Sequence, residues 1–112
     1  MSNVDEQFKD ILSTEWCYRF EELQKKAMLM SYYKYGRVNQ NHNKDNLMDA
    51  VKNLKKRLEM YEKTGNTEFL VDVANFAMIE FMYPQHPKAY FKGTDSENVE
   101  LVGFGINQLK EE

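Results

Sequence analysis

Apolar residues recur at helical spacing through most of this chain. Between residues 4 and 35, Phe8, Ile11 and Leu12 begin a stripe. Trp16, Phe20, Leu23, Ala27 and Met30 continue it at steps of four, three, four and three, the period of an amphipathic helix. Ser2 or Asn3 caps it, and Asp5 and Glu6 suit the positive end of its dipole. Ser13-Thr14, good caps and indifferent interior residues, offer a break into a short first helix and a long second one. Gly36, after Tyr35, predicts the end. Residues 37–46, RVNQNHNKDN, read as a polar loop. Asp45 or Asn46 caps the next helix, Asn46 and Asp49 forming a shortened capping box. That helix runs to about Lys63 with Leu47, Val51, Leu54, Leu58 and Tyr61 on its apolar face. Thr64-Gly65-Asn66 predicts a tight turn, with Gly65 ending one helix and Asn66 or Thr67 capping the next. So short a link makes the two helices antiparallel neighbours.

The next helix, EFLVDVANFAMIEF from Glu68 to Phe81, is the most apolar run in the chain. It ends near Met82, before Pro84. Glu68, Asp72 and Asn75 share one stripe of it, while Phe69, Val73, Phe76 and Ala77 lie on others. A helix apolar almost all round is normally buried, and a buried carboxylate needs an ion pair, hydrogen bonds or a metal. So much apolar surface is large for a three-helix monomer and predicts a homo-oligomer. Beyond Pro84 no period holds. A tail packing through Tyr90, Phe91, Leu101, Val102 and Phe104 is expected, with a short helix after Ser96 carrying Glu97 and Glu100 in its first turn. The fold class is therefore all-α. One domain, residues 1–112, has a helical core over 1–82 and an irregular C-terminal tail over 83–112. The core is a small bundle of three main helices plus an N-terminal helix.

Composition sharpens this. The seven Phe, seven Tyr and seven Met, with few β-branched residues, favour helix over strand. A net charge of −3 gives no general attraction to nucleic acid or anionic membranes. The single Cys17 excludes an internal disulfide and a cysteine-based zinc site, and reads as a quiet thiol within a helix. No run of eighteen apolar residues exists to span a membrane. The acidic start MSNVDEQFKD lacks a signal peptide's basic and apolar regions, so a cytoplasmic protein is expected.

Four groups of residues carry chemistry. Glu68 and Asp72, one turn apart, can share a hard cation such as Mg²⁺, with Asn75 adding a neutral oxygen. Glu15 and Glu22, flanking the apolar stripe of the long helix, are candidates for acids facing them from another helix. The ordinary reading is an Asp72 ion pair with Arg19, Arg57 or Lys34, a first-turn Glu68, and an Asn75 amide that cross-links helices. Second, Lys34-Tyr35-Gly36-Arg37 suits a helix C-terminus or a phosphate. Third, Lys52, Lys55, Lys56 and Arg57, with Lys25-Lys26, form a solvated basic face or contact a nucleic acid or an acidic protein, without the interleaved aromatics that stack bases. Fourth, His42 and His86 lie in loops without a partner His or Cys at metal spacing. His86 with Thr94, Asp95 and Ser96 is a further loop candidate. The signatures of the common hydrolases, nucleotide loops and zincins are absent.

A long helix ending in KYG, a polar linker, a basic-faced helix, a TG turn and a helix carrying an acid before VANFAM form a pattern. Over residues 15–82 it resembles the all-α nucleoside triphosphate pyrophosphohydrolases, in particular the MazG-like and phage dATP/dGTP-diphosphohydrolase-like members. The resemblance implies a helical bundle, often a homodimer or tetramer. It also implies Mg²⁺ held by an ExxE and an ExxD, and cleavage of a nucleotide between its α and β phosphates. Asp72 matches the closing acid of the ExxD. Phe69 stands three residues before it and Glu68 four, and Glu15 and Glu22 stand seven apart where an ExxE would be. Carried over, Asp72, Glu68 and Glu15 would hold Mg²⁺. Asp72 and Glu22 would be catalytic, and Lys34, Arg37, Lys56 and Asn75 would bind substrate. The implied protein is an active enzyme or a relative that kept the bundle and lost the metal. The alternative is a non-catalytic small helical protein, of phage or mobile-element type, that binds and inhibits or regulates a host protein.

Overall fold

The computed structural model describes residues 3–41 and 48–94 of the chain. The described residues form helices and connecting segments, with no strand among them. Helix α1 spans Asn3–Glu15, α2 Tyr18–Tyr35, the short α3 Val38–Asn41, α4 Ala50–Thr64 and α5 Glu68–Met82. None of these is long and apolar enough to cross a membrane.

Local chemistry sets the ends. The break between α1 and α2 falls at Trp16-Cys17, not at Ser13-Thr14. Ser13 and Thr14 turn their hydroxyls back onto the carbonyls of Asp10 and Ile11 and stay helical, a bond that suits an interior turn. Cys17 takes the N-cap position of α2, and its Sγ accepts from the Phe20 N–H at 3.3 Å. It is thus an exposed cap residue rather than one inside a helix. Gly36 ends α2 with φ 84° and donates its N–H to Tyr32 O at 2.7 Å. Asp49 caps α4, accepting from Lys52 N–H at 2.9 Å, so this acid is the cap and not the third residue of a capping box. Asp45, Asn46 and Leu47 lie outside the described residues.

The turn to α5 follows expectation. Gly65 adopts a left-handed conformation, φ 74°, and its N–H reaches Tyr61 O at 2.7 Å, closing α4 as only a residue without Cβ does cheaply. Asn66 Oδ1 then accepts from the Glu68 N–H at 3.0 Å. Helices α4 and α5 make the closest pairing, and α2 also packs against α5. The core is Ala50 of α4 with Val71 and Ile79 of α5, and Asn75 is buried between the latter two. These α5 residues are four apart, so one stripe is enclosed.

Two expectations change. The partly covered residues of α2 are Phe20, Glu21, Gln24, Ala27, Met28 and Ser31, while Leu23 and Met30 are exposed. Likewise Val51 and Leu58 of α4 are exposed, and Asn53, Leu54, Arg57 and Tyr61 are partly covered. After α5, Glu80 Oε2 accepts from the Gln85 N–H at 2.9 Å, and Gln85 Nε2 donates to Met48 O at 3.1 Å. Tyr90 and Phe91 do not pack on the bundle as a tail should. They are 84% and 82% exposed, and Phe91 meets the exposed Phe81 ring edge-on at 6.3 Å. Leu101, Val102, Phe104 and the segment after Ser96 lie outside the described residues.

Candidate functional site

Where α2, α4 and α5 meet, a cavity of about 550 Å³ opens, a size that suits a small ligand. Its walls are mainly apolar, with Ala27, Met28, Phe76 and Ile79 among them, and its polar groups are Ser31, Tyr35, Asn53, Arg57, Asp72 and Asn75. Two of these come from the acid stripe of α5 and two from the inward edge of α4. The α4–α5 turn brings the two edges face to face.

Asp72 faces Arg57, with Oδ2 3.7 Å from Nε. This is one of the three partners its position suggests. The contact is long, and the side chains stay 43% exposed for Arg57 and 33% for Asp72. Partial burial pushes the Asp72 carboxyl above its ordinary value. The Arg57 charge opposes that rise, and Glu68, one turn away, adds to it. Asn75, 5% exposed, donates through Nδ2 to Gln24 O at 3.1 Å and accepts at Oδ1 from Gln24 Nε2 at 3.3 Å. The amide therefore cross-links α5 to α2 with its main hydrogen-bonding capacity used.

A second, larger groove of about 810 Å³ runs along the other side of the α2–α5 seam. Met28, Leu29, Tyr32, Met78 and Met82 wall it, and Glu21, Gln24, Lys25, Arg37 and Asn75 edge it. Arg37 stacks over the Tyr32 ring at 5.5 Å. Glu21 accepts from Trp16 Nε1 at 3.0 Å and pairs with Lys25 at 3.2 Å. The Trp16 hydrogen bond, then the Lys25 contact, hold its carboxyl below the usual range.

Asp72 and Asn75 thus share the three-helix cavity, whereas Glu68, one turn before Asp72, is exposed and lines neither cavity. Arg37 edges the groove. Glu15, Glu22, Lys34 and Lys56 are exposed and line neither cavity. Glu15 accepts from Thr14 Oγ1 at 2.8 Å. Among the described residues no three of His, Cys, Asp and Glu gather as a metal site would require. His86 caps its own turn, Nδ1 accepting from Lys88 N–H at 3.0 Å. His42 and the Asp95-Ser96 pair lie outside the described residues. Gln24 and Asn53 escape a reading of apolar stripes because they are polar at inward positions. The signal for Gln24 is its place on the line through Phe20, Ala27 and Ser31. Comparison with known proteins found no matching family model, no matching curated protein and no matching solved structure.

Proposed function

We propose that the chain is a nucleotide-binding helical protein of the Mg²⁺-dependent nucleoside triphosphate pyrophosphohydrolase type, in active or degenerate form. One observation carries this reading. A carboxylate, a guanidinium, two side-chain amides and the hydroxyls of Ser31 and Tyr35 converge on a cavity whose remaining walls are mainly apolar and include the Phe76 ring. Such a site offers charge for phosphates and a dry wall for a base. Arg57 is the cation of this set. Its contact with Asp72 is long and half open to water, so the guanidinium retains donors for a phosphate oxygen. Arg37, on the adjoining groove, is a second cation within the same α2–α5 region.

The donors fit Mg²⁺ only as an ion that arrives with its nucleotide. Asp72 and Glu68 supply two carboxylates, which suffices where phosphates and water complete the shell. Bound there, Mg²⁺ would screen the phosphate charge and acidify a water. Asp72 would act there as a ligand held in its ionised form by the cation, against the desolvation that raises its carboxyl. Asn75 is committed to Gln24, so its part is to fix the seam that shapes the cavity.

The second reading is a non-catalytic helical protein that binds and regulates a host protein. The exposed apolar residues along the α2–α5 groove, Leu29, Met78 and Met82, are the surface such a partner would cover. Calorimetric titration with dATP or dGTP in the presence of Mg²⁺ separates the two. Saturable binding that Asp72→Ala abolishes is the expected result, and release of pyrophosphate distinguishes the active form from the degenerate one. No heat of binding with any nucleotide overturns the proposal in favour of the second reading.

A further inference from the structure

Two apolar surfaces of this chain lie uncovered, and they match. The first is the stripe of α1. Val4, Phe8, Ile11 and Leu12 stand at i, i+4, i+7 and i+8, from 39% to 58% exposed. That is the anchor pattern of a helix made to lie in a groove. Among the described residues helix α1 is not one of the closely packed helix pairs, and its stripe stays exposed. The second surface is the methionine-walled groove between α2 and α5, where Leu29, Met78 and Met82 remain 60%, 36% and 45% exposed. Methionine is soft and unbranched, and adapts to the irregular face of an incoming helix.

The elbow between α1 and α2 keeps the two surfaces apart within one chain. Trp16 N–H closes the last turn of α1 onto Leu12 O at 3.1 Å, Cys17 caps α2, and Trp16 Nε1 is held by Glu21. The first helix therefore ends and the second begins at this elbow, and no residue of α1 lines the groove of its own chain. Charge points the same way. Asp5, Glu6, Asp10 and Glu15 against Lys9 leave α1 three charges negative, whereas Lys25 and Arg37 against Glu21 leave the groove edge one charge positive.

We propose that α1 of one copy lies in the α2–α5 groove of a second copy, and reciprocally. Two such contacts close a two-fold dimer in which both surfaces of both chains are covered. The proposal does not depend on nucleotide binding.

Its test uses the full chain in a Cys17→Ser background, serine being a good N-cap. One protein carries Ile11→Cys and another Met78→Cys, and the two are mixed and oxidised. A disulfide joining the two different proteins is expected, with the unmodified chain running by light scattering at twice 13.3 kDa. Phe8→Asp should give the monomer mass with the circular dichroism of the bundle retained, since α1 is not among the closely packed helix pairs. Three outcomes overturn the proposal. One is a monomeric unmodified chain. Another is a disulfide that forms only in the Ile11→Cys protein alone, which would mean that α1 pairs with α1. The last is a double variant that cross-links within one chain, which would mean that α1 folds onto its own groove.

Discussion

Asp72 stands at the boundary between two chemistries. Its carboxyl is covered enough to hold its proton more tightly than an unfolded aspartate, yet open enough for its Arg57 partner to be screened. The sign of its effect on stability follows by linkage. The folded state keeps the Asp72 proton to higher pH than the unfolded chain, which releases it near ~3.9. Stability from this group is therefore greatest at low pH and falls as pH rises from that value through the folded one. Asp72→Asn should remove this fall and leave stability at neutral pH unchanged or slightly raised. A partly exposed pair is worth under about 1 kcal/mol. Melting temperatures of both proteins across pH 3.5 to 7 check this, and a loss of about 3 kcal/mol would mark Asp72 as half of a buried ion pair instead. Asn75 behaves differently. Asn75→Ala removes both hydrogen bonds to Gln24 and opens a small void, so a loss of about 1–3 kcal/mol is expected in urea unfolding.

At the scale of the elements, the helix ends carry much of the specification. Gly65 shows this most simply. A Cβ there would meet nothing within 4 Å, but φ is +74°, so Gly65→Ala should cost about 1–2 kcal/mol from backbone strain alone. Asp49→Ala should cost about 1 kcal/mol through the lost cap on Lys52. Thermal melts that leave either variant unchanged would refute these assignments. These ends were also the most legible features of the sequence. Gly36, Gly65 and Pro84 act through the backbone, and their meaning does not depend on what packs nearby. The inward face of α2 was not legible. Tyr18, Phe20, Leu23, Ala27, Met28, Leu29, Met30, Tyr32, Tyr33 and Tyr35 surround that helix almost completely, so periodicity cannot choose a side. The choice was made by Asn75 reaching Gln24 from another helix. The site was legible to the same degree. An acid on an apolar helix had to find a partner, and Arg57 was one of three. That Asn53 and Ser31 would join it depended on how three helices meet, and no local pattern encodes that.

At the scale of the whole molecule, cover is unevenly distributed. The α4–α5 pair encloses Ala50, Val71 and Ile79, whereas α1 and the segment through Tyr90 and Phe91 stand open. Amide hydrogen exchange should show this as a gradient. Protection should be greatest in Ala50–Tyr61 and Val71–Ile79 and least in residues 86–94. The amides of α1 should gain protection as protein concentration rises, because its apolar stripe is then covered by another copy. Uniform protection across all the helices would contradict this ordering.

The Gln24–Asn75 cross-link spans 51 residues, and that interval has a meaning on the ribosome. At about 5–20 residues per second, α2 waits roughly 3–10 seconds after its synthesis before the helix that completes it has been made. During that interval its aromatic and methionine-rich surface has no α5 to lie against. The α4–α5 turn, by contrast, joins neighbours in sequence and can close as soon as both have emerged. The nascent chain therefore acquires its best-packed part last. Until then it presents α2, the longest of the described helices, as an open surface on which a chaperone could act.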